Sequence, residues 1–174
     1  MWYFAYGSNM DSATLRGRRG IACVRAVAAR VAGWRVVFDK PPLAPIGEAF
    51  ANIVPDPEAV ALGVAFDVSE DDLAHIELSE GVLIGNYRRV ELAVEPLVAC
   101  PAPPVTATSL ASDRRDATLR PSTRYMELLI TGALEHGLPA EYVEVLRAVP
   151  AREPSAIARA LRPLVDAALT RRLR

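Results

Sequence analysis

The sequence predicts an α+β fold, a small curled or closed sheet with helices packed against its outside. Three observations carry that expectation. Segments of strand periodicity fill the chain to about residue 110 with a single helix among them, helical segments take over after residue 120, and no internal repeat appears. A length of 174 residues, 51% hydrophobic and 24% charged, suits one globular domain over 1–174 with its own core. Within it, residues 153–173 form a C-terminal helical extension.

Taken in order, residues 2–6 (WYFAY) suit a short strand that runs straight into Gly7-Ser8-Asn9. Residues 22–38 suit two strands broken at Gly33, rich in Val and alternating with Arg. The stretch 40–49 holds three prolines and a glycine and is expected to be loop. Residues 49–54 and 61–68 read as two strands around a Pro-Asp-Pro-Glu turn. Residues 69–81 are the first clear helix: Ser69 is a ready N-cap, Asp72 three residues later completes a capping box, and Gly81 closes it. Residues 86–99 return to strand periodicity, and the Pro-rich 100–110 leads into another strand. Pro121 starts a helix that Gly137 stops, a second helix covers 138–149, and the chain ends in an amphipathic helix bent at Pro163.

Composition excludes several kinds of chemistry. A net charge of −1 gives no basis for a nucleic-acid or anionic-membrane partner. Lys40 is the only lysine, which removes nearly every candidate for a Schiff-base or P-loop lysine. Cys23 and Cys100 are too few for a disulfide framework and read as buried or half-buried small hydrophobes. No basic, apolar leader opens the chain and no run approaches a membrane span, so a soluble cytoplasmic protein is expected. The two histidines, His75 and His136, lie apart from any cysteine or carboxylate at ligand spacing. They are expected at the surface, with no metal and no cofactor. Catalysis would fall to carboxylates, hydroxyls and backbone groups.

One carboxylate stands out. On the 69–80 helix, Leu73, Ile76 and Glu80 share a face, with Glu77 beside them. A negative charge at a helix C-terminus opposes the macrodipole and needs compensation. An apolar face would also push the carboxyl toward the pKa of a general base. Glu77 competes for the role one turn earlier. Tyr3, Tyr6, Tyr87 and Tyr125 are four of the five tyrosines, and Arg88 and Arg89 point to opposite faces of a strand, toward solvent. The turn at Gly7-Ser8-Asn9 is either an ordinary strand ending or a cradle of backbone N–H groups for an anion.

Three blocks, YFAYGSNM from residue 3, LSEGVLIGNYRRV from residue 78 and RPSTRYMELLITGALEHGLPAEYVEVLRAV from residue 120, resemble the γ-glutamylcyclotransferases in the same order. The likeness runs to about residue 150. It implies a small mixed β-barrel flanked by helices, and a cofactor-free reaction in which a γ-glutamyl amide closes to 5-oxoproline and frees its amine. It also implies that Glu80 is catalytic, that Tyr6, Gly7, Ser8 and Asn9 hold the substrate, and that Tyr87 and Tyr125 line the pocket. The partner expected is thus a small γ-glutamyl compound, bound by a monomer or a homodimer. The loops 40–48 and 100–105 carry no family pattern, so the leaving amine stays open. The C-terminal helix could cap the domain or pair two copies, and the cap is preferred. Two alternatives remain: a binding module on the same fold without turnover, and an amide hydrolase using Ser8, which would give glutamate instead of 5-oxoproline.

Overall fold

The computed structural model describes residues 1–43, 46–97 and 103–170. Five strands close a barrel in the order β1-β3-β2-β4-β5: β1 Trp2–Ala5, β2 Cys23–Lys40, β3 Phe50–Val68, β4 Arg88–Pro96 and β5 Val105–Ala111. The β1–β5 seam is parallel and the other pairings are antiparallel, so the barrel is mixed, as expected. Four helices flank it: α1 Glu70–Ser79, α2 Thr123–Glu135, α3 Ala140–Arg147 and α4 Ala156–Thr170. Short turns of helix at Ser8–Met10, Ala13–Arg18 and Val82–Ile84 complete the order. No described helix is long and apolar enough to cross a membrane.

Two expectations about the strands need correction. Residues 22–38 are one strand, because Gly33 at φ +78° sits in a register shift between Ala32 and Trp34 without ending the ladder. The residues expected to form two strands at 49–54 and 61–68 are likewise one strand. Pairing resumes directly across the prolines, with Trp34 opposite Pro55 and Ala32 opposite Val60. The Pro-Asp-Pro-Glu segment is therefore an excursion inside β3, matched to the glycine shift in β2. A bulge of this kind bends and twists a long hairpin while keeping both halves paired, which helps a five-stranded sheet close.

The helices form where their caps predict. Ser69 Oγ accepts from the Asp72 N–H at 3.1 Å, and Gly81 takes the left-handed conformation, φ +75°, that ends α1. Ser122 Oγ caps α2 in the same way, accepting from the Tyr125 N–H at 3.3 Å. The α4 helix runs through Pro163.

Phe4, Phe66, Ile53, Leu92, Ile76 and Leu129 are among the buried side chains of one hydrophobic cluster shared by strands and helices. Gly132 brings α2 against the turn that follows β1: a Cβ there would lie 2.5 Å from the Met10 carbonyl carbon. The histidines are not at the surface as expected. His75 is buried, and the half-buried His136 ring stands edge-on to Phe66 at 5.3 Å, filling core space as aromatic rings do. Cys23 is half-buried, while Cys100 and residues 98–102 lie outside the described residues.

Candidate active site

A cavity of about 380 Å³ opens where β1 ends, bounded by the turn after it, the end of α1, the first turn of α2, the loop after β2 and one face of α4. Every site residue expected from the sequence lines it: Tyr6, Gly7, Ser8, Asn9, Glu80, Tyr87 and Tyr125. Glu77 does not. Its carboxylate is held by Arg89 Nε at 2.6 Å on the outside of the helix. The two glutamates thus meet different surroundings, Glu77 an arginine of β4 and Glu80 the cavity wall.

The turn after β1 is tightly specified. The Gly7 carbonyl accepts from the Met10 N–H at 3.0 Å and the Ser8 carbonyl from the Asp11 N–H at 3.2 Å, so the carbonyls fold back into the chain. Gly7 packs under Tyr125, where an added Cβ would lie 3.0 Å from the phenol oxygen. That oxygen accepts from the Ala51 N–H at 3.1 Å. Its ring stands edge-on to Phe50 with centroids 5.1 Å apart. Two other tyrosine hydroxyls are spent on the barrel wall, Tyr6 donating to the Leu110 carbonyl and Tyr87 to the Ala51 carbonyl at 3.2 Å. Burial pushes the phenol pKa upward at Tyr3, Tyr6, Tyr87 and Tyr125, with the nearby Glu80 charge adding to the rise. All four are neutral hydroxyls at any working pH.

Glu80 differs from its expected setting in one respect. The sequence placed it on an apolar face, whereas its carboxylate is hydrogen-bonded to a buried cation, Arg19 Nη2, at 2.5 Å. Asn9 Nδ2 adds a second bond at 3.3 Å to the same oxygen, Oε1. The compensation that a negative helix end requires is therefore supplied from outside the helix. Arg19 is only 5% exposed and fully engaged: Nε donates to Asn9 Oδ1 at 2.9 Å and Nη1 to Ser79 Oγ. Asn9 also donates to the Tyr3 hydroxyl at 2.8 Å. Turn, arginine and glutamate thus form one continuous network, with the Glu80 side chain 21% exposed toward the cavity.

Sequence reasoning missed four residues here. Arg19 lies in an arginine-rich run with no spacing that ties it to Glu80, 61 positions away. Lys40, set aside as a lone lysine, is 2% exposed and lines the cavity. Glu48 and Asn86 line it as well, and the buried Glu48 Oε1 has no hydrogen-bond partner among the described residues. The loop expected to shape the leaving-group side lines the cavity with Pro42, Leu43 and Ile46. The C-terminal helix adds Ala158, Leu161 and Arg162, and Ser155 Oγ ties its start to the Ile46 carbonyl at 2.9 Å. Neither histidine lines the cavity, which leaves Ser8 without an imidazole base. No group of three His, Cys, Asp or Glu among the described residues is arranged to hold a metal.

The sequence profile of the AIG2-like family matches residues 61–146. A γ-glutamyl cyclotransferase of Aspergillus oryzae, aclK, is 30% identical over 165 residues, covering 84% of this chain, and the chain spans 60% of that relative's length. The human γ-glutamylcyclotransferase is 29% identical over 154 residues, covering 84% of this chain and 77% of its own. A solved structure of a γ-glutamyl cyclotransferase has a TM-score of 0.77, covering 95% of this chain and 98% of its own at 23% identity, a likeness of fold. Sequence and fold agree in what the chain is similar to: the γ-glutamylcyclotransferases along most of its length, and the AIG2-like family over residues 61–146.

Proposed function

We propose that the protein converts a small γ-glutamyl amide into 5-oxoproline and a free amine or amino acid, with Glu80 as the acid–base group. The observation that carries this reading is the Glu80 carboxylate on the cavity wall, bonded through Oε1 to Arg19 and Asn9. That arrangement holds the carboxylate through Oε1 and leaves Oε2 outside both bonds.

The nucleophile and the electrophile belong to one molecule, so the cavity has only to hold the glutamyl chain folded into near-attack geometry. Glu80 takes a proton from the α-nitrogen, which attacks the γ-carbonyl carbon and closes a five-membered ring. As the bond from that carbon to the leaving nitrogen breaks, the protonated Glu80 returns its proton to that nitrogen. The second proton of the α-ammonium exchanges with water. A nitrogen anion is a poor leaving group, so the returned proton is as necessary as the first abstraction.

The charge that grows on the γ-oxygen needs donors that are already in place. The turn after β1 offers backbone N–H groups and the Ser8 hydroxyl, while the Asn9 side chain is spent on Tyr3, Arg19 and Glu80. Tyr125 offers its hydroxyl, whose oxygen is oriented by the Ala51 N–H. Gly7 allows close approach because it presents no Cβ.

The test pairs two variants. Glu80→Gln should lower 5-oxoproline release ~10²–10⁴-fold while Glu77→Gln leaves it near wild type. A silent Glu80→Gln beside a dead Glu77→Gln would overturn the assignment.

A further inference from the structure

Among the described residues, Lys40 is a buried ammonium without a carboxylate partner. It closes β2 at 2% exposure and lines the cavity. Its Nζ donates to Asn86 Oδ1 at 2.6 Å and stands 4.7 Å from the centroid of the Tyr87 ring and 6.0 Å from that of Phe50. Among the described residues no carboxylate lies within ion-pair distance of it. Its neighbours point the same way. The Asn86 oxygen also accepts from Arg114 Nη1 at 2.9 Å, so two cations converge on one neutral atom. Glu80 is engaged by Arg19, and Asp39, beside Lys40 in sequence, is engaged by Arg115 at 2.6 Å.

Burying an ammonium without a counter-ion is costly, and a single amide oxygen offsets little of that cost. An ammonium has three donors, and one is used. A carboxylate arriving in the cavity would meet the others beside the aromatic ring of Tyr87.

We infer that Lys40, held by Asn86, is the seat of a carboxylate of the substrate, and so sets which γ-glutamyl compounds bind. The inference rests on the function proposed above. Two carboxylates could fill the seat, the α-carboxylate of the glutamyl part or that of a departing amino acid, and they are separated by choice of substrate. Charge supports the assignment. Burial lowers the Lys40 pKa to about 8, with Glu80 raising it and Arg114 lowering it. Tyr87 packs against Lys40, Glu48 lines the same cavity, and Asp39 precedes it in β2. The ammonium is present below that pH and is lost above it.

The experiment compares wild type with Lys40→Met on γ-glutamylalanine and γ-glutamylethylamide, following 5-oxoproline. KM should rise ~10–100-fold, the worth of a charge-assisted hydrogen bond, with a smaller change in kcat. A rise on both substrates places the glutamyl α-carboxylate at Lys40. A rise on γ-glutamylalanine alone places the leaving amino acid there. In either case wild type should lose kcat/KM above about pH 8, and that fall should vanish in the variant. Unchanged KM on both substrates, or a loss confined to kcat, overturns the inference. If wild type itself releases no 5-oxoproline from any γ-glutamyl compound, the proposed function fails instead. Should Lys40→Met not fold, Lys40→Gln keeps a donor to Asn86 without the charge and carries the same test.

Discussion

The two walls of the cavity are built differently. One, from the turn after β1, the end of α1 and the first turn of α2, is a network in which Asn9, Arg19, Ser79, Glu80 and Tyr3 bond to one another. The other, from the loop after β2 and the face of α4, is mostly aliphatic, with Pro42, Leu43, Ile46 and Leu161. A network with several bonds per side chain fixes atoms to within the tolerance of chemistry. An aliphatic surface fixes only shape and dryness. On the proposed function, proton transfer falls to the first wall and the choice of leaving group to the second. Substitutions should therefore separate kcat from KM according to the wall they fall on.

The sharpest break is Arg19→Met. It leaves the Glu80 carboxylate without its cation and releases Asn9 and Ser79, so turnover should fall ~10–100-fold and stability by ~1–3 kcal/mol. Steady-state kinetics and a thermal melt read the two effects, and unchanged turnover would show that Arg19 plays no part in placing Glu80. Tyr125→Phe removes one hydroxyl from the same wall while keeping the ring against Phe50. The expected loss is about tenfold in kcat with little change in Tm, since one hydrogen bond is worth about 1 kcal/mol. A rise in KM alone would move Tyr125 from transition-state stabilisation to binding.

Gly132→Ala tests the wall from behind. Its Cβ would press on the Met10 and Asp11 backbone at 2.5 and 2.6 Å, so the turn must shift. Overpacking of this kind costs ~1–3 kcal/mol, which lowers Tm by several degrees. Activity should drop with the displaced turn. The smallest effect is expected on the opposite wall. Leu161→Ala enlarges the leaving-group side, so kcat on γ-glutamylalanine should hold while KM falls for bulkier leaving groups. A large loss of kcat on every substrate would erase the distinction between the walls.

The same division runs through what the sequence made legible. Gly7-Ser8-Asn9 and the capped helix ending at Glu80 are local signals, in which each residue type answers a backbone requirement within a few positions. They appear in the structure where expected. Arg19 and Lys40 have no local signature, because their roles come from partners 61 and 46 positions away. The apolar setting expected for Glu80 was wrong for that reason. A helical wheel reports which face a residue occupies but not which side chain from another element comes to meet it. The strand breaks placed at Gly33 and at Pro-Asp-Pro-Glu were legible as irregularities. Reading them as ends instead of bulges followed from seeing each strand without its partner, where compensation across the hairpin is invisible.

The central claim is that ring closure, and not attack by water, releases the amine. Product identification on γ-glutamylalanine by proton NMR tests it most directly. The account predicts 5-oxoproline and alanine in equal amounts, with no free glutamate. Glutamate and alanine in equal amounts would contradict it, since water would then have taken the place assigned to the substrate's own α-nitrogen.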